Sequence, residues 1–275
     1  MKHTFHWLKQ KTLALKPLTL TSCYFLVSFS YPAFSAQDTS EYIEWLASYT
    51  GEAAANVDGG KREGSAYAGQ LFLGAEIDLE KFAGWENTKV HVAFTNRHGQ
   101  NLAATHIGGS TSVQEIYGGQ NSRLARLTVE KSFFDDQLQV EVGRTVANIS
   151  FLGSELCQYF QTNSACGNPT FVFKTSNFTW WPVSSWGGHA KYWLSPEIYF
   201  HTGVYEENTP HQDLSDHGFD WSTDESTGVV VPVTLGYQTT WENDDYPKRY
   251  EIGGWYDGAD LSLIHISEPT RPQAI

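Results

Sequence analysis

Three pairs of adjacent carboxylates, Asp135/Asp136, Glu206/Glu207 and Asp244/Asp245, are the residues of this sequence that most resemble a reactive constellation. Two carboxylates flanking one glycosidic bond can divide the work of acid and nucleophile or base. Each pair lies in what reads as a turn or loop, where solvated acids are ordinary, so no catalytic residue is assigned and an enzyme is not expected. His91, His98, His106, His189, His201, His211 and His217 show no His-Glu-x-x-His or similar spacing. Cys157 and Cys166, in "CQYFQTNSAC", have no zinc spacing and no histidine beside them. No metal and no cofactor is expected. In an exported chain the two cysteines would close a short disulfide loop.

A second set of residues carries charge without any motif. Lys89, Arg126, Glu130, Glu141, Arg249 and Glu251 sit in the middle of alternating runs. The elements that hold them have period two. In "AYAGQLFLGAEID", Tyr67, Leu71, Leu73, Ala75 and Ile77 share one face, and Gln70, Glu76 and Asp78 the other. In "KVHVAFTNR", Val90, Val92 and Phe94 oppose Lys89, His91, Thr95 and Arg97. In "RLARLTVEK", Ala125, Leu127 and Val129 oppose Arg126, Thr128 and Glu130. "QLQVEVG" and "IYFHTGVY" alternate likewise, the second setting His201, Tyr199 and Tyr205 against Ile198, Phe200 and Val204. "VVVPVTLGYQTTW" and "RYEIGGWY" follow, with "HAKYWL" a weaker case and a first strand within Trp45 to Val57.

The connections alternate in length. "LEKFAGWEN", "FDDQ", "SPE" and "ENDDYP" are short, whereas about 97–122, 147–185 and 206–227 are long. Short turns at one end and long loops at the other suit a transmembrane barrel, whose outward face is apolar and whose inward face lines water. Trp85, Phe133, Phe134, Trp186, Trp241 and Tyr246 gather near strand ends, as an interfacial girdle would. A β-sandwich with an aromatic core remains open on this pattern, and with it a secreted carbohydrate-binding or glycan-hydrolysing protein.

Bulk composition narrows the classes. The chain has 275 residues, 15 % aromatic and 18 % charged, with 24 Gly and a formal net charge of −13. That favours strands and turns and speaks against nucleic acid, which needs a basic surface. "MKHTFHWLKQKTLALK" is basic, "PLTLTSCYFLVSFSYPAFSA" is mostly apolar, and "AFSA" offers small residues for cleavage. Residues 1–36 therefore read as a secretory signal peptide.

Several separated motifs resemble the carbohydrate-selective porins of the OprB family, in the family's order. They are "YTGEAAANVDGG", "YAGQLFLGAEIDLEKFAGW", "EVGRT", "SFLGSELCQYFQTNSACGNP", "SSWGGHAKYW" and "TGVYEENTP". The resemblance implies an all-β, antiparallel transmembrane β-barrel of 16 strands, of which residues 37–260 would supply about the first nine. It implies passive diffusion of small sugars such as glucose across the outer membrane of a Gram-negative cell, without a cofactor. Outer-membrane lipid and the barrel-assembly machinery would be its partners. A homotrimer is expected only by analogy with general porins.

For such a lumen, Lys89, Arg126, Glu130, Glu141 and Arg249 are candidates to bond sugar hydroxyls, and Tyr199, Tyr205 and Trp255 to stack on sugar C–H faces. Arg144, in "EVGRT", falls on the outward parity but near a strand end, where a bulge could turn it inward. The long loop holding Cys157 and Cys166 is a candidate constriction. The last stretch, 261–275, with "LSLIHISEPTR", fits no strand and back-translates to the adapter of a transposase-based sequencing library, so it is read as a translated artefact.

Overall fold

The computed structural model of the chain describes residues 42–166 and 179–259. The expected signal peptide and the tail 261–275 lie outside the described residues. Nine strands form one sheet in sequence order, every neighbour antiparallel. They are β1 (Ile43–Asn56), β2 (Gly64–Asp78), β3 (Thr88–Gly99), β4 (Ser122–Phe133), β5 (Leu138–Thr145), β6 (Ser185–Trp193), β7 (Ile198–Glu207), β8 (Gly228–Gln238) and β9 (Arg249–Asp257). All the runs read as strands above are strands here. A sandwich would need a second sheet against the apolar face. Among the described residues there is one sheet, and Leu73, Val142, Val204, Val229, Val233 and Leu235 of that face stay exposed.

Connections 79–87, 134–137, 194–197 and 239–248 lie at one end, and 57–63, 100–121, 146–184 and 208–227 at the other. The first short connection contains α1 (Leu79–Ala83). Asp78 caps it by accepting from the Glu80 and Lys81 amides, and Gly84 ends it at φ 73. Trp85, Phe134, Trp241 and Tyr246, all largely exposed, ring the short-turn end. Asp135 and Asp136 occupy a turn there with φ 53 and 65, a conformation Asp tolerates.

Two details depart from simple alternation. Between Ala93/Arg126 and Phe94/Leu124 the register of β3 and β4 slips by one, a bulge at Ala125. Ala125, expected on the outward face, is fully buried instead. Glu206 and Glu207, expected in a solvated loop, are the last two residues of β7 and are buried. The Glu206 carboxylate accepts from the Trp186 amide and from Asn208.

A barrel wall has little core of its own, because one face meets lipid and the other water. The packed apolar cluster here is made by a loop on the wall. Ala147 and Phe151, just after β5, pack with Tyr205 of β7 and Val230 of β8, against Leu152 and Trp180.

Candidate functional site

Cross-strand partners share a face. Pairing therefore places Glu76, Lys89, His91, Glu130, Arg126, Glu141, His189 and His201 together on the face opposite the exposed apolar residues. They form a belt from β2 to β7. Lys89 pairs with Glu76, and His91 reaches both Glu76 at 3.5 Å and Glu130 at 3.2 Å. Arg126 grips Glu141 through Nη2 at 2.6 Å and Nε at 2.8 Å. His189 reaches the same carboxylate at 3.1 Å and His201 at 3.1 Å. Lys89 with Glu76 and Arg126 with Glu141 are paired charges, and His91 bonds Glu130, so the wall is both hydrophilic and largely charge-paired.

Nearer the short-turn end, the Lys191 ammonium lies 4.0 Å from the Tyr199 ring centre and 4.5 Å from that of Trp193. The Tyr199 hydroxyl donates to Glu251, which also takes Arg249 at 2.6 Å. The structure thus places Lys89, Arg126, Glu130, Glu141, Tyr199, Tyr205, Arg249 and Trp255 on the inner face. Tyr199 and Tyr205 are fully buried and present no ring face, whereas Trp255 is 45 % exposed.

Arg144 is buried at the long-loop rim. Its Nη2 donates to the Ser184 carbonyl at 2.8 Å, and Nη1 lies 3.3 Å from His211 Nε2. It pairs with Leu127 and Trp186 and is enclosed by loop residues rather than turned into the belt. Nearby, Arg123 donates to the His211 and Asp213 carbonyls, and Asn121 to those of Leu214 and Asp216. These bonds clamp the 208–227 loop to the rim.

Three long loops meet the inner wall at a cavity of about 310 Å³. Arg97 of β3 donates through Nε to Gln70 of β2 at 2.6 Å and through Nη1 to the Gly118 carbonyl at 3.1 Å and that of Trp181 at 3.4 Å. The Trp181 indole donates to the same Gln70 oxygen at 3.4 Å, and its ring sits 6.2 Å from Phe72. Glu115, Asn148, Asn163 and Gln212 add to the polar lining. Burial holds the Glu115 carboxyl above the usual carboxylate range, with Arg97 opposing the shift.

Cys157 and Cys166 form a disulfide, and the loop they close reaches across the wall. Gln161, between them, donates to the Ala53 carbonyl of β1 and accepts from the Glu115 amide. A loop rooted between β5 and β6 therefore ends on β1 and β3–β4 residues, crossing the inner face. Among the described residues no cluster of three potential metal ligands occurs.

Sequence reasoning missed Arg97, Arg123, Glu115, Gln70 and Trp181 as site residues. Arg97 had the correct parity, with Lys89 and His91. Arg123 lies an odd number of residues from Arg126, which in a regular strand puts them on opposite faces. The bulge at Ala125 brings both inside. Glu115 and Trp181 come from loops, for which alternation gives no direction.

The geometry can be set beside known proteins. The family model for carbohydrate-selective porins, OprB family, matches residues 62–263. Porin B of Pseudomonas aeruginosa is 34 % identical over 235 residues, covering 82 % of this chain and 51 % of that protein. A relative from Acinetobacter baylyi is 36 % identical over 245 residues, covering 82 % of this chain and 55 % of its own. The structure of Pseudomonas putida OprB at high pH superposes with a TM-score of 0.73 at 28 % identity, over 79 % of this chain and 53 % of that one. This chain spans about half the length of the curated relatives it matches.

Proposed function

Because the chain belongs to the carbohydrate-selective porin family, OprB, we propose that the full-length protein lets small sugars such as glucose diffuse passively through an outer-membrane barrel. The nine strands are part of that barrel, with the apolar face to lipid and the charged belt to a water-filled lumen. The cavity at Arg97 carries the reading. There loop residues meet the wall, and the Arg97 guanidinium, the amides of Gln70, Asn148, Asn163 and Gln212, the Glu115 carboxyl and the indoles of Trp180 and Trp181 line one space.

That inventory suits a neutral polyol. Hydroxyls both donate and accept, so they can use Arg97 as donor, Gln70 and Asn148 as either, and Glu115 as acceptor or, when protonated, donor. An indole face takes the sugar's C–H side. Nothing in the reading breaks a covalent bond, and passage requires that binding stay weak enough for release. The charged belt nearer the short turns then supplies a wetted path with fixed charges of both signs.

Glucose flux into liposomes carrying the full-length protein tests this. Expected is saturable entry well above protein-free vesicles, with Trp181→Ala raising the half-saturating concentration about fivefold to tenfold, as loss of one aromatic platform would. Flux equal to that of empty vesicles would refute the proposal. Entry that never saturates would reduce the cavity to a plain water-filled gap.

A further inference from the structure

The turn that follows β5 is fastened to the lumen wall by two histidines. α2 (Ala147–Ser150) ends with the Ser150 hydroxyl 3.0 Å from His189 Nε2. The next residue, Phe151, is buried and stacks on the His201 ring with centroids 4.0 Å apart and planes at 29°. It meets His189 and Tyr205 edge-on. Gly203 makes room for it, since a Cβ there would lie 3.1 Å from the Phe151 ring and 2.7 Å from Tyr205. From the same turn, Asn148 Oδ1 accepts from the Trp181 amide at 2.9 Å. Trp181 in turn meets Gln70 and Arg97 at the cavity.

We propose that His189 and His201 are positioning residues for the sugar path: they hold the 147–151 turn on the wall, the turn holds Trp181 over the cavity, and protonation of both imidazoles releases it. This rests on the cavity being the sugar path. The proton logic follows from the contacts. His201 Nε2 and His189 Nδ1 face each other at 3.1 Å, so one must donate and the other accept. His189 Nε2 faces the Glu141 carboxylate and carries its proton there, leaving Nδ1 to accept from His201. One added proton is absorbed by exchanging tautomers. A second puts two N–H groups head to head.

Charged side chains surround the pair. Glu141, on β5, is already gripped by Arg126 of β4. Lys191 of β6 pairs directly with His201, and Arg249 of β9 lies on the same face. Tyr205 adds no carboxylate. With both rings protonated, two N–H groups would meet across the 3.1 Å contact, and acid drives the pair apart.

The test is glucose block of ion current through the full-length protein in planar bilayers, from about pH 8 to about pH 3, through and below the range in which an unperturbed histidine changes charge. The wild type is expected to lose glucose affinity about fivefold to tenfold toward acid, the effect of an unseated aromatic platform. His201→Gln keeps an amide donor toward His189 but takes no proton, and its half-saturating concentration is expected to stay level across the range. Phe151→Ala is expected to show the weak, acid-like affinity at every pH. If His201→Gln fails to assemble, seen as loss of heat-shifted gel mobility, His189→Gln serves with the same expectation. A flat wild-type profile would overturn the proposal, as would acid weakening that persists in the glutamine variant or vanishes in Glu115→Gln. Absence of glucose block at all pH values in every variant would instead refute the sugar-path reading itself.

Discussion

Arg97 binds two strands and two loops with one side chain, through a planar fork that a lysine cannot copy. Arg97→Lys should therefore keep the charge yet free the Gly118 and Trp181 carbonyls. Glucose half-saturation is expected to rise about tenfold, roughly the 1.4 kcal/mol of one well-placed charged hydrogen bond, while cation-over-anion preference in the same bilayers stays as it was. A change in ion preference without a change in sugar affinity would assign Arg97 to charge selection instead. Glu115 makes a prediction of opposite kind. Its carboxyl is half-buried and held above the usual range, so the folded protein binds its proton more tightly than the unfolded chain does. The stabilisation is complete below the ordinary value of 4.5 and is lost as pH rises through the elevated one. Glu115→Gln cannot ionise. It should flatten the decline of denaturant midpoint over that window, and a variant whose decline matches the wild type would show that burial of Glu115 is not felt.

At the level of elements, Gly143 shows how tightly the sheet is constrained beside the rim. Its φ is 144, and a Cβ there would lie 2.3 Å from the Leu127 carbonyl oxygen on β4. Gly143→Ala should cost about 1–3 kcal/mol and displace Arg144 from the Ser184 carbonyl, read as a lower unfolding midpoint. An unchanged midpoint would mean β4 and β5 separate there without cost. The same strands show what was legible from residues alone. Seven alternating runs, a weaker one at "HAKYWL" and a first strand placed within Trp45 to Val57 anticipated the nine strands, because one face meets an apolar phase and the other water, so period two is strong. The bulge at Ala125 was not legible, since a single inserted residue alters parity without changing composition. The loop holding Cys157 and Cys166 was singled out as a candidate constriction, but which of its residues meet the wall was not legible. Its polar lumen contacts, such as Gln161 on Ala53 and Trp181 on Gln70, use residue types that a solvated loop would also carry. Glu206 and Glu207 misled for a related reason: a carboxylate pair at a strand end looks like a turn until its partners, Asn208 and the Trp186 amide, are known.

For the molecule as a whole, the two faces of the sheet face different solvents, and one strand can compare them. Val233 is the middle residue of β8, exposed on the apolar face, and Thr234 beside it shares the inner face with His201 and Gly253. An arginine at each position adds the same charge and the same bulk one residue apart. On the lipid face it must bring a guanidinium to the bilayer's midplane, at a cost of about 2–4 kcal/mol. On the inner face it stays hydrated, and its stability effect should be within about 0.5 kcal/mol, while one more fixed positive charge shifts the current toward anions. Denaturant unfolding of the full-length protein from lipid vesicles reads the first quantity, and reversal potential in a salt gradient reads the second. Val233→Arg should lower stability and leave reversal potential in place; Thr234→Arg should do the reverse. Equal destabilisation by both would mean that both faces of β8 are packed against protein, and the outward face would then need a protein partner rather than lipid.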